Sequence, residues 1–272
     1  MNREEQIEIL KSKTSYDFDD LRAVMALLRS EGGCPWDIEQ THESIRKDFI
    51  EETYEVIEAI DNADPVLLQE ELGDVLLQVV FHARIEEEKN VFSMDDVITE
   101  LCTKLIHRHP HVFGDVLADT SDKVLQNWEK IKNEEKKRET VSERLHSIPP
   151  ALPALMRAAK VGKRASCFDF PDAASAFSKI KEETIELEEA FLEGEQGNIE
   201  EELGDLLFSV ANFARKMKID PELALTNATN KFISRFEEIE AAATDMGKTV
   251  DNMSQNELDA LWEAKKSQKL SK

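Results

Sequence analysis

An all-α protein built from two tandem domains is what this sequence predicts, and three observations predict it. Glu, Lys, Leu and Ala dominate the 272 residues, while Gly and Pro number only 9 and 8, few for a chain full of tight turns. Apolar residues recur at helical spacing, and no two-residue hairpin signal is present. The chain also repeats itself: "EELGD" stands at Glu70–Asp74 and at Glu201–Asp205, each behind an "EETxE" run, at Glu51–Glu55 and Glu182–Glu186.

A slide of 131 positions extends that repeat from Leu21 to Arg84 in one register. It places Leu21 on Leu152, Met25 on Met156, Glu52 on Glu183, Glu71 on Glu202, Asp74 on Asp205 and Arg84 on Arg215. A period of this length marks a duplicated domain rather than a solenoid. The run "NEEKKRETVSERLHSIPPALP", Asn133–Pro153, is charged and ends in three prolines, which stop a helix. The expected organisation is a first domain over 1–135, a charged linker over 136–149 and a second domain over 150–272.

Taken in order, the segment Ile45–Ile60 carries an apolar stripe at Ile45, Phe49, Val56 and Ile60. With Phe49 at zero on a helical wheel, Glu52 lies at about 300° and Glu55 at about 240°, at the core margin, while Glu51 at about 200° faces solvent. Asp64-Pro65 then reads as an N-cap with proline at the first helical position, as does Asp220-Pro221 later, and Ser93 with Asp96 as a capping box.

Between Leu72 and Phe81 apolar residues occupy almost the whole circumference, which predicts a buried helix. Its one polar stripe is Glu71, Asp74, Gln78 and His82. The second copy has Glu202, Asp205, Ser209 and Asn212. Gly73 and Gly204 lie mid-helix, where they are expected to permit close backbone approach at a propensity cost of about 1 kcal/mol.

Buried carboxylates are costly unless paired or bound to a metal. An acidic helix face is ordinarily just solvated, but a buried stripe made twice argues for cations. All six histidines precede the second repeat, the last being His146. A carboxylate-bridged iron site needs Glu-x-x-His pairs, so the all-oxygen set fits Mg²⁺ or Mn²⁺ better.

Basic residues are duplicated too. "KLIHR" sets Lys104 and Arg108 four apart, and "KFISR" does the same with Lys231 and Arg235. "WEKIK" gives Trp128 and Lys132, and "WEAKK" gives Trp262 and Lys266. Carboxylates for metal, cations for phosphates and an aromatic for a base together make a nucleoside triphosphate site.

Composition excludes other classes. With 34 basic against 57 acidic residues the net charge is −23, which repels a nucleic-acid backbone, so a polyanionic ligand must bring its own cations. No apolar run reaches the roughly 18 residues that span a bilayer, and "MNREEQIEIL" has no signal-peptide core, so a cytoplasmic protein without a membrane partner is expected. Cys34, Cys102 and Cys167 are too widely spaced for a metal motif and read as reduced structural thiols.

"GGCPWDIEQTH" (Gly32–His42), "EETYE", "EELGDVLLQVVFHARIEEE", "HRHPHVFGD" (His107–Asp115) and "IPPALPALMRAAKVGKRA" (Ile148–Ala165) resemble the MazG family of nucleoside triphosphate pyrophosphohydrolases, over about Phe18 to Lys266. The resemblance implies a four-helix arrangement in each domain, frequent dimerisation, and Mg²⁺-dependent hydrolysis of nucleoside triphosphates to monophosphate and pyrophosphate with broad base selectivity. It assigns Glu183, Glu186, Glu202 and Asp205 to the metal and the catalytic centre of the second domain. Lys231 and Arg235 match its phosphate contacts, and Trp262 and Lys266 its nucleotide contacts. In the first repeat Glu52, Glu55, Glu71 and Asp74 match the carboxylates, and Lys104 and Arg108 the cations.

The halves differ between motifs: Asp74 to Lys104 spans 30 positions, Asp205 to Lys231 only 26, and "GGCPWD" and "HPHVF" have no counterpart in the second half. The second repeat is therefore expected to be the main catalytic site. The competing expectation is a non-catalytic acidic helical module that binds nucleotides or a protein partner.

Overall fold

The structure, a computed structural model, describes residues 2–136 and 140–269, without the side chains of Ser166 and residues 266–269. Contacts divide the chain into two units, Met1–Ile131 and Lys132–Lys272, and all regular structure among the described residues is helical. The part of the expected linker at 137–139 lies outside the described residues.

Helices of the first unit are α1 (Arg3–Ser12), α2 (Phe18–Leu28), α3 (Pro35–Glu39), α4 (Arg46–Asp61), α5 (Pro65–Glu88), α6 (Met94–Arg108), α7 (Pro110–Phe113) and α8 (Ser121–Glu135), the last spanning the division. The expected caps form. Asp64 accepts the N–H groups of Val66 and Leu67 ahead of Pro65, and Ser93 and Asp96 exchange the two bonds of a capping box. Helix α5 packs against α2, α4 and α6. The core gathers there from Met25, Ile45, Val80, Phe81, Ala83, Ile85 and Met94, and burying a side chain as fully as Met25 or Ile45 contributes about 1.5–3 kcal/mol.

The run found only in the first half is tied to α5. Arg29 donates to the carbonyls of Asp37 and Gln40 and pairs with Glu88 at 2.9 Å. His42 stands between His82, Nδ1 to Nδ1 2.7 Å, and Glu86, Nε2 to Oε1 2.7 Å. Burial, and then His42, lowers the pKa of His82.

The second unit contains α9 (Val141–His146), α10 (Ala154–Arg164), α11 (Ala173–Glu193), α12 (Gln196–Lys216), α13 (Pro221–Asp245) and α14 (Gln255–Lys269). Helix α9 forms within the segment expected as linker, and Arg164 holds it by donating to the Arg144 carbonyl. Gly194, at φ 77°, closes α11 in the left-handed region and turns the chain into α12. The buried apolar residues here are mostly small: Ala176, Ala190, Ala211, Ala214 and Ala243, with Ile148 and Ile239. Close helix packing follows, and at one place it requires glycine, since a Cβ on Gly162 would fall 1.8 Å from Asn212 Oδ1. Asp169 pins the α10–α11 connection to α12 through Arg215 at 2.5 Å and Lys216 at 2.8 Å.

Four expectations need correction. Helix α5 is not buried all round, because Leu72 is 52% exposed and Leu76 is exposed as well. The same holds for Leu203, Leu207 and Phe208 on α12. The helices of one unit cover only part of so wide an apolar surface. Ile60, placed on the core stripe of α4, is 57% exposed for the same reason, whereas Ile45 is buried. A Cβ on Gly73 or Gly204 would meet nothing within 4 Å, so neither serves close packing inside its unit. Cys102 and Cys167 are exposed rather than structural, and all three thiols are free.

Candidate functional site

Each unit pairs two antiparallel acidic helices through a short turn, and the i, i+3 spacing of each motif sets its carboxylates on the facing sides. In the first unit Glu52 and Glu55 of α4 meet Glu71 of α5, with ligand oxygens all within 4.8 Å of one another. In the second, Glu183 and Glu186 of α11 meet Glu202 of α12 within the same limit. Both trios come together as expected. The fourth acid of each set lies outside the trio: Asp74 is half-buried, and Asp205 is exposed.

Electrostatics in the two trios differ. Burial pushes the Glu52 carboxyl up to about 7, helped by a hydrogen bond to Glu55 and by the charges of Asp74, Glu55 and Glu71. Glu71 is raised as well, first by burial and then by Glu55, Glu70 and Asp74. In the second unit burial raises Glu186, but Lys179 opposes it. Lys179 Nζ sits 2.7 Å from Glu182 Oε1 and 2.9 Å from Glu183 Oε1, contacts that hold the ammonium protonated well above the ordinary lysine range. Sequence reasoning missed this lysine. Its signal was the i, i+4 spacing to Glu183.

The basic residues fall as follows. Lys104 is half-buried and pairs with Glu100 at 3.1 Å. The Arg108 guanidinium lies 5.4 Å from the Trp128 ring centre, and Arg235 repeats this over Trp262 at 5.8 Å. Phe232 packs 5.1 Å from Trp262 and 6.4 Å from Phe236, an aromatic cluster that was also missed. Its sequence signal was the Phe inside "KFISR", where the first half has Leu105. Arg235 Nε is buried without a hydrogen-bond partner. Lys231 is exposed, and no ion pair among the described residues joins Lys231 or Arg235 to the carboxylates of the second trio. The side chain of Lys266 lies outside the described residues.

The profile of the MazG nucleotide pyrophosphohydrolase domain matches residues 40–113 and again 172–239. The chain belongs to the MazG family. Both matched spans contain a complete carboxylate set and its Lys/Arg pair, while Trp128, Trp262 and Lys266 lie beyond them. Among relatives, the MazG nucleoside triphosphate pyrophosphohydrolase/pyrophosphatase of Thermotoga maritima is 45% identical over 251 residues, covering 92% of this chain and 95% of the relative. The nucleoside triphosphate pyrophosphohydrolase of Escherichia coli K12 is 39% identical, over 93% of this chain and 98% of its own. That of Mycobacterium tuberculosis is 42% identical over 53% of this chain and 45% of its own. No helix among the described residues of this MazG-family chain is long and apolar enough to cross a membrane.

Proposed function

We infer that this chain hydrolyses nucleoside triphosphates to the monophosphate and pyrophosphate, using Mg²⁺ held by the carboxylate sets. The observation that carries the reading is the trio of glutamates, converging within 4.8 Å and made twice. Its donors are all carboxylate oxygens, which suits Mg²⁺, with Mn²⁺ as a substitute. Glu183, Glu186, Glu202 and Asp205 would hold the metal in the second unit, and Glu52, Glu55, Glu71 and Asp74 in the first. Bound there, the ion supplies positive charge that polarises a phosphate oxygen and acidifies a water.

The chain's own groups do the rest. One of Glu183 and Glu186 orients the water that attacks the α-phosphorus and takes its proton. The bond from that phosphorus to the bridging oxygen breaks, and pyrophosphate leaves. Lys231 and Arg235 offset phosphate charge in the second unit, as Lys104 and Arg108 do in the first. Trp262 and Phe232 wall the base. Stacking accepts any base, which supports broad selectivity and a role in clearing the nucleotide pool. Lys266, one turn beyond Trp262, takes a nucleotide contact from the family resemblance. The aromatic cluster of Phe232, Phe236 and Trp262 favours the second unit as the main site, and a cytoplasmic setting fits such an activity.

A homodimer belongs to the same reading. The chain exposes 19259 Å², whereas two separate globular units of half its mass would expose about 14,000 Å² by the usual scaling. The surplus includes Leu72 and Leu76 on α5 and Leu203, Leu207 and Phe208 on α12, apolar area suited to a second copy.

Pyrophosphate release from several nucleoside triphosphates with Mg²⁺ tests the function, comparing the intact chain with Asp205→Asn. The intact chain should release pyrophosphate and the variant should fall by about 100-fold or more. Triphosphate binding by the intact chain without product would instead make it a non-catalytic nucleotide-binding module.

A further inference from the structure

The two trios share their acids and differ in the residue one turn ahead of them. Helix α11 carries Lys179 four residues before Glu183, and α4 carries Asp48 four residues before Glu52. The 131-residue offset sets these positions on one another. Lys179 is bound to Glu183 and Glu182, and two-thirds of its side chain is covered. The second trio thus already holds a cation, on a tether. In the first, no lysine or arginine among the described residues pairs with Glu52, Glu55, Glu71 or Asp74. At i, i+4, Asp48 adds a negative charge to the same helix face.

A second observation points the same way. Gln78 lies on the polar stripe of α5 beyond Glu71 and Asp74, is only 7% exposed, and has an Oε1 with no hydrogen-bond partner. A buried amide oxygen left without a donor is costly. It is also the kind of neutral oxygen that hard cations accept beside carboxylates. The second unit has Ser209 at that position.

We propose that Lys179 is a tethered counter-ion of the second carboxylate set, so that without nucleotide the first set binds divalent cations tightly and the second only weakly. This rests on the reading of both sets as divalent-cation sites. A metal ion and the Lys179 ammonium compete for Glu183. At separations of about 4 Å their repulsion is enough to lower affinity by at least an order of magnitude. A triphosphate brings negative charge of its own, which offsets that repulsion and lets the second set fill. The first set then holds its ion between turnovers, and the second acquires one with substrate.

Mn²⁺ titration of the metal-stripped full chain without nucleotide tests this, with free Mn²⁺ read from its electron paramagnetic resonance signal. Two classes of site should appear. Glu71→Gln should abolish the tight class and Glu202→Gln the weak one. Lys179→Met should tighten the weak class by roughly tenfold or more, Lys179→Arg should leave it in place, and Asp48→Lys should weaken the tight class. Two equal classes, unmoved by Lys179→Met and Asp48→Lys, would overturn the counter-ion role while leaving the metal reading intact. A tight class that disappears with Glu202→Gln instead of Glu71→Gln would overturn the assignment. Absence of Mn²⁺ binding in every form, the intact chain included, would overturn both the inference and the metal reading beneath it.

Discussion

Arg235 holds its guanidinium carbon 5.8 Å from the centre of the Trp262 ring, and Arg108 stands in the same relation to Trp128 at 5.4 Å. These pairs join a helix that carries a cation of the proposed phosphate contacts to one that carries an aromatic plate. In the second unit Phe232 adds a further ring 5.1 Å from Trp262. If this cluster receives the base, Trp262→Ala should raise KM for every nucleoside triphosphate. A lost stacking contact of about 1–3 kcal/mol corresponds to roughly 5- to 150-fold. Trp262→Phe should recover most of it, because a ring remains. Steady-state kinetics on a purine and a pyrimidine substrate decide the matter. An unchanged KM for both would remove the tryptophan from the nucleotide site.

Asp169 gives a prediction about stability. Arg215 first, and Lys216 with it, hold its pKa at about 2, against an unfolded value of 3.8. A depressed carboxyl stabilises the folded state above the unfolded pKa and loses that contribution as pH falls through the folded one. Asp169→Asn should therefore destabilise the second unit near pH 7, by about 1.5–3 kcal/mol for a charge-assisted contact of this burial. The difference from the intact protein should vanish as pH falls from 3.8 toward 2. Urea unfolding of both forms across that range measures it, and a pH-independent difference would count against the ion pair.

The acidic centres, by contrast, were legible from residues alone. The duplicated Glu-x-x-Glu and Glu-x-x-Asp spacings placed Glu52, Glu55 and Glu71 together, and likewise Glu183, Glu186 and Glu202, because helical geometry fixes which side chains share a face. Periodicity says which face is apolar but not what covers it. That is why Ile60, Leu72 and Leu76 were expected inside and lie exposed. Lys179 was overlooked because a lysine four residues before a glutamate ordinarily marks a solvated surface pair, and only the burial of Glu183 makes it otherwise. The Arg235–Trp262 contact depends on how the connection between α13 and α14 folds back, which local pattern does not determine.

The raised Glu52 carboxyl gives the stability of the metal-free protein one component of its pH dependence. Its folded pKa of about 7 lies above the unfolded 4.5, so between those values the folded state holds a proton the unfolded chain has released. Stability then falls as pH rises through the window. In a chelator the melting temperature of the intact protein should drop between pH 5 and pH 8, and Mg²⁺ should restore it at pH 8 by supplying the missing positive charge. His82, whose pKa burial lowers, works in the opposite direction, so the comparison that isolates Glu52 is with Glu52→Gln. That variant should show a shallower decline and a higher metal-free melting temperature at pH 8. A decline as steep as that of the intact protein would show that the raised carboxyl lies elsewhere.

Gly204 tests the dimer. It lies on the exposed side of α12, among Leu203, Leu207 and Phe208, and a Cβ there meets nothing within 4 Å in the single chain. For an isolated subunit Gly204→Ala should stabilise the helix by about 1 kcal/mol. With a second copy packed on that face, the added methyl group should instead hinder approach and weaken association. Phe208→Asp, which places a charge in the same apolar patch, should separate the subunits outright while leaving the glutamate trio assembled. Sedimentation equilibrium of the three forms gives the answer. A dimer in the intact protein, a weakened one in Gly204→Ala and a monomer in Phe208→Asp would place the interface on α12. A Phe208→Asp variant that remains fully dimeric would move the interface to another face.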